Sequence, residues 1–249
     1  MEKTFNYLID IGEQMLISGG EVYKVEECLQ RLFAAYGTNR ADIFIITSSI
    51  VVTVHIDDRT YTQTRRIRET ITDYEKLHKL YELSEKICKN LYSEQDIEEA
   101  LDSVLKTKPY SLKMEFICYA IIAAAFTLFF GGGCMEALIS AFTGIIVRGT
   151  IIICDRMISN KIFTKYISAF VVTIFAYLAL RLEIIGHVDK IIIGNIMTLI
   201  PGIGLTTALK DLFMGDSIAG VLRTIEACIV ALAIAAGYFT VTILSRGAL

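Results

Sequence analysis

The charged residues of this chain are spread unevenly along it, and that division decides what it can fold into. Residues 114–249 carry 17 charged side chains in 136 positions, whereas residues 1–113 carry 34 in 113. The charge-poor part consists of apolar stretches of about 17 to 28 residues, and about 20 suffice to cross a bilayer as a helix. Together with a mean hydropathy of +0.54, this predicts an α-helical integral membrane protein. Two domains are expected: a cytoplasmic α+β domain over 1–113 and a five-helix transmembrane domain over 114–249. The opening residues Met1-Glu2-Lys3-Thr4-Phe5-Asn6 lack a basic region followed by an apolar run, so no cleavable signal peptide is expected.

The first part alternates helical and strand patterns. Phe5, Leu8, Ile9, Gly12, Met15 and Leu16 recur at helical spacing. Ser18-Gly19-Gly20-Glu21 interrupts that helix, and Ser18 with Glu21 three residues on reads as a capping box that restarts it. A second stripe runs through Val22, Val25, Leu29, Leu32 and Phe33 to Gly37. Strands are expected over Asp42–Thr47, Ile50–Ile56 and Thr60–Ile67, the last two joined at Asp57-Asp58-Arg59. Two helices follow, from about Asp73 to Leu91 and from Ser93, capped with Asp96, to a stop before Pro109.

The apolar part divides into five expected spans, about Met114–Phe130, Cys134–Cys154, Tyr166–Leu182, Ile191–Leu209 and Ser217–Leu244. With the N-terminal domain in the cytoplasm, Lys106, Lys108, Lys113, Arg156, Lys161, Lys165 and Lys210 fall inside, against Arg181, Lys190 and Arg246 outside. Seven against three satisfies the positive-inside rule and puts the C-terminus outside.

Three features go beyond simple anchoring. In the fourth span Pro201, Gly202 and Gly204 should break or kink the helix near the bilayer midplane, and interrupted helices at that depth free carbonyls and amides that secondary transporters use; the alternative is a packing kink. In the fifth span Arg223 and Glu226 stand at i, i+3 on one face, with Asp216, Gly220 and Ala227 on much the same face, roughly 10–15 Å into the helix. Charges there must face protein or water, since each costs about 2.5–3.5 kcal/mol in lipid; they form either an ion pair welding the bundle or part of a substrate or proton path. Arg148 in the second span either snorkels towards the cytoplasmic headgroups or lines the same path.

Other chemistries find little support. The six cysteines are scattered without a C-x-x-C, and His55, His78 and His187 stand far apart, so neither a metal nor a cofactor is expected. A net charge of −3 without a basic run argues against nucleic acid. Glu21, Tyr23, Glu26 and Glu27 read as a solvated helix start, and Ser48, Ser49 and His55 show no nucleophile–base spacing. Arg65-Arg66-Ile67-Arg68 reads as a solvated edge strand, with anionic headgroups or a partner as the alternative.

At these residues the chain resembles the threonine/serine exporter family in its shorter, split-subunit form, over nearly its whole length. The resemblance rests on Leu16-Ile17-Ser18-Gly19-Gly20-Glu21-Val22-Tyr23-Lys24-Val25-Glu26, on Ile50–Ile56 and Thr64-Arg65-Arg66-Ile67, and on Pro201-Gly202 with Asp211, Gly215-Asp216 and Gly220. It implies a bacterial inner-membrane exporter of small polar metabolites, driven by an ion gradient and not by ATP, and therefore not an enzyme. It also implies a small hydrophobic membrane subunit as partner, because longer members carry a second hydrophobic unit that this chain lacks; a homo-oligomer is compatible with it. Threonine/serine-type amino acids are the first substrate class, and dicarboxylates such as succinate the alternative. Glu21, Pro201, Gly202, Asp211 and Asp216 carry over as motif positions. Reading the residues alone, a membrane-tethered hydrolase or sensor stays open as a different class.

Overall fold

The computed structural model describes residues 2–38, 40–56, 59–107, 110–157 and 160–246. The elements run α1 (Glu2–Ile17), α2 (Val22–Ala35), β1 (Arg40–Ile46), β2 (Ser49–Ile56), β3 (Arg59–Arg66), α3 (Tyr74–Asn90), α4 (Glu94–Leu105), α5 (Leu112–Phe129), α6 (Cys134–Met157), α7 (Lys161–Arg181), α8 (Val188–Ile196), α9 (Gly202–Met214) and α10 (Ser217–Arg246). They form two compact units. The first takes in residues 1–108 and 203–224; the second takes in 109–202 and 225–249.

In the first unit, β1, β2 and β3 make an antiparallel sheet in sequence order. Period-two alternation sends Ile50, Val52 and Val54 inward against α1 and α2, while Val51, Thr53 and His55 face outward. Leu8, Leu29, Leu32, Phe33, Leu80 and Ile97 fill the same core. The expected turn at Asp57-Asp58 lies outside the described residues.

The expected capping box at Ser18 does not form. Gly19 has φ +92°, the Gly20 N–H donates to the Met15 carbonyl at 2.9 Å, and the Gly19 N–H donates to Leu16 at 3.0 Å. This glycine stop satisfies the last carbonyls of α1 and outcompetes a serine start. Helix α2 therefore begins after Glu21, whose side chain caps nothing.

The capping box at Ser93 and Asp96 does form. Ser93→Ala is expected to cost the first unit about 1 kcal/mol, read as a lower unfolding midpoint in detergent. Ser103→Ala, whose hydroxyl bonds only to Ala100 within its own helix, serves as the unchanged control.

In the second unit α5 and α6 form an antiparallel hairpin closed at Gly131–Gly133, with Gly131 at φ +86°. Gly144 lets them meet: a methyl there would stand 2.7 Å from the Tyr119 carbonyl. Among the described residues, four helices are long and apolar enough to cross a membrane, namely α5, α6, α7 and α10. The expected fourth span is not one helix. It divides into α8, with 9 residues, and α9, with 13, separated at 197–201, where Pro201 supplies no amide hydrogen. The expected break at Pro201 is therefore present, and neither half of the expected fourth span is by itself among the four helices long and apolar enough to cross.

Candidate functional site

The residues that carry chemistry in the first unit converge where α9 and the start of α10 meet the α1–α2 turn. Helix α9 buries Thr207, Ala208 and Asp211 on one side. It ends in the same kind of glycine stop as α1, with Gly215 at φ +101° and the Asp216 N–H on the Asp211 carbonyl at 2.9 Å. Gly220 brings α10 close: a methyl there would stand 2.8 Å from the Ala208 carbonyl.

Asp211 has no exposed surface. Its Oδ1 accepts the Val22 N–H at 3.1 Å, and Arg223 Nη1 stands 3.3 Å from Oδ2. Oδ2 itself receives no aligned hydrogen bond. Arg223 Nη2 donates to the Gly20 carbonyl at 2.9 Å, so one guanidinium ties α10 both to α9 and to the turn. Glu21 lies between two lysines, Lys24 at 2.6 Å and Lys210 at 2.7 Å.

The two carboxyls are tuned in opposite directions. Burial pushes Glu21 up, but bonds from Lys210, Lys24 and Tyr23 outweigh it and hold its pKa at about 2. Its contribution to stability is therefore complete above about 4.5 and lost as the pH falls towards 2. Burial raises Asp211, and the Arg223 charge and Val22 amide oppose this without cancelling it. Asp211 thus takes a proton well before Glu21 does, and its ionised form weakens the fold as pH rises. Burial also raises Asp216.

The other expected residues are dispersed. Pro201 is half-buried, and Gly202 and Gly204 at the start of α9 are exposed. Arg223 pairs with Asp211 and not with Glu226, which is exposed and has no partner among the described residues. Residues 217–224 belong to the first unit, and Ser217–Ser245 as a whole is long and apolar enough to cross a membrane.

In the second unit Arg148 donates from Nε to Glu115 Oε2 at 2.8 Å, and Nη2 bonds the same oxygen. Sequence reasoning missed Glu115, Lys210 and a buried polar junction of α5, α6 and α8. There Thr127 Oγ1 lies 2.7 Å from Ser140 Oγ, and Asn195 Nδ2 donates to Ser140 Oγ at 2.8 Å. Polar residues amid apolar spans were the available signal, though nothing in their spacing links them. His55 stays on the sheet's outer face between Asp42 and Thr60. Among the described residues no cluster of His, Cys, Asp or Glu is arranged to hold a metal.

Comparison with known proteins adds to this geometry. The family model described as "Putative threonine/serine exporter" matches residues 6–245. The chain is 24% identical over 224 residues to the "Probable succinate transporter subunit YjjP" of Klebsiella aerogenes, covering 90% of this chain and 86% of that protein. No solved structure matches significantly.

Proposed function

The chain belongs to the threonine/serine exporter family, and from that premise we propose that it is one subunit of a secondary transporter exporting small carboxylate-bearing metabolites. Threonine/serine-type amino acids are the first substrate class. Succinate is the alternative, favoured by the name of the Klebsiella relative, which also calls that protein a subunit. A second, smaller membrane subunit would complete the carrier. The protein sits in the bacterial inner membrane with its N-terminus inside; the interrupted segment 191–209 supplies a fifth crossing, which leaves the C-terminus outside.

The observation that carries this reading is Asp211. A fully buried carboxyl with one oxygen unbonded, beside an arginine, in a helix that follows a break, is a group whose protonation changes what its neighbours bind. Protonation weakens its hold on Arg223, and Arg223 then lets go of the α1–α2 turn more easily. Deprotonation restores the clasp. Coupling such a two-state element to a proton gradient is how a carrier ties uphill export to downhill ion flow.

The test is export from reconstituted vesicles loaded with labelled threonine, serine or succinate, with and without the second subunit. Asp211→Asn is expected to lower the export rate at least tenfold and flatten its dependence on pH. A wild-type rate with a wild-type pH profile would remove Asp211 from the mechanism, and no movement of any of the three substrates by the wild type would remove the transporter reading.

A further inference from the structure

The ion pair of α5 and α6 is held in an unusual way. An arginine fork and a carboxylate are strongest when two nitrogens meet two oxygens. Here Nε and Nη2 of Arg148 both go to Oε2 of Glu115, so half the carboxylate is left out of the grip. The pair is also reachable: the Arg148 side chain is 19% exposed and that of Glu115 is 28% exposed. The Tyr119 ring lies 5.7 Å from the Arg148 guanidinium carbon and supports its charge from a second side.

Position adds to this. Glu115 is in the first turn of α5, and Arg148 is six residues before Cys154. Where α6 ends and α7 begins, Asp155 accepts from Thr164 at 3.1 Å. The pair therefore belongs to the polar end of the second unit, which is its cytoplasmic end if the N-terminus is inside. Arg223, by contrast, already bonds Asp211 and the Gly20 carbonyl, and its side chain is only 13% exposed.

Resting on the transporter reading above, we propose that Arg148 is the entry site for the substrate carboxylate and that Glu115 is its resident stand-in, displaced when substrate arrives. The exchange keeps Arg148 paired throughout, which avoids the cost of an arginine stripped of its partner in an apolar setting. The displaced Glu115 carboxylate, 28% exposed in the first turn of α5, turns to water and is solvated there. An incoming carboxylate that meets the fork with both oxygens gains what Glu115 forgoes. Because it must displace Glu115, its net affinity stays weak, as a carrier that has to release its cargo requires. A carboxylate is common to amino acids and dicarboxylates, so this position selects the class and leaves the choice within it to other contacts.

The test is the export KM in reconstituted vesicles, for whichever of labelled threonine, serine or succinate the wild type moves. Glu115→Gln weakens the competitor, and KM is expected to fall roughly three- to tenfold with no rise in maximal rate, since a larger fraction of Arg148 is free to bind. Arg148→Lys, which keeps the charge but loses the fork, is expected to raise KM at least tenfold. KM does not depend on how much protein inserts, so a poorly inserting variant is still read. Glu115→Asp, with its shorter reach, should move KM in the same direction by less. An unchanged or higher KM in Glu115→Gln and Glu115→Asp, with normal wild-type export, overturns the exchange; absent wild-type export overturns the underlying reading instead.

Discussion

Arg223→Ala is expected to destabilise the first unit by about 3–5 kcal/mol, because it leaves a buried charge without its partner. Asp211 would retain the Val22 N–H on Oδ1 but face no cation on Oδ2, and the Gly20 carbonyl would lose its donor. The informative experiment is a double-mutant cycle. Asp211→Asn removes the charge while keeping an oxygen for the Val22 amide, so adding it to Arg223→Ala should return much of the loss, with a coupling energy of about 1–3 kcal/mol. Midpoints of heat- or denaturant-induced unfolding of the whole chain in detergent supply the four corners. Two single losses below 1 kcal/mol that simply add would show that the pair is not the clasp described. The cycle also guards the transport assay, because lost export in Arg223→Ala alone would mix a folding defect with a mechanistic one.

Gly194→Ala is expected to have the second large effect. A methyl at Gly194 would overlap Thr127 Oγ1 and stand 2.9 Å from the Ala123 carbonyl and from the Thr127 amide nitrogen. Two of those three obstacles are backbone of α5, so the clash cannot be relieved by a rotamer change. Overpacking of this kind costs about 1–3 kcal/mol, and here it also pries apart the Thr127–Ser140–Asn195 junction. We expect a lower unfolding midpoint and an export rate reduced at least tenfold. Gly149→Ala is the matched control for the unfolding midpoint, since its added methyl meets nothing within 4 Å and alanine favours a helix interior over glycine. Equal melting of Gly194→Ala and wild type would refute the close approach of α5 and α8.

What could be read from the residues alone was what repeats locally. Helical stripes, strand alternation, the Ser93–Asp96 box and the break at Pro201 all depend on neighbours within a few positions, and all appear in the structure. The Ser18 box failed as a local competition: two consecutive glycines stabilise a helix end more than serine stabilises a start. The charge partners were not legible for a different reason. Spacing of i, i+3 nominates Glu226 for Arg223, yet the actual acceptor is Asp211, brought in by the tight turn at Gly215. Glu115 lies 33 positions from Arg148, and Glu21 lies 189 from Lys210. Pairings at such separations depend on how elements pack, which no periodicity encodes.

The interleaving of the first unit sets a timetable for biogenesis. The amide of Val22 and the carbonyl of Gly20 find their partners 189 and 203 positions later, on residues 211 and 223, which the ribosome delivers roughly 10 to 40 seconds afterwards at ordinary elongation speeds. During that interval the nascent N-terminal segment must remain unfinished while three hydrophobic helices enter the translocon, so translation pauses or holdase chaperones acting in that window should govern yield more than the intrinsic stability of the completed molecule.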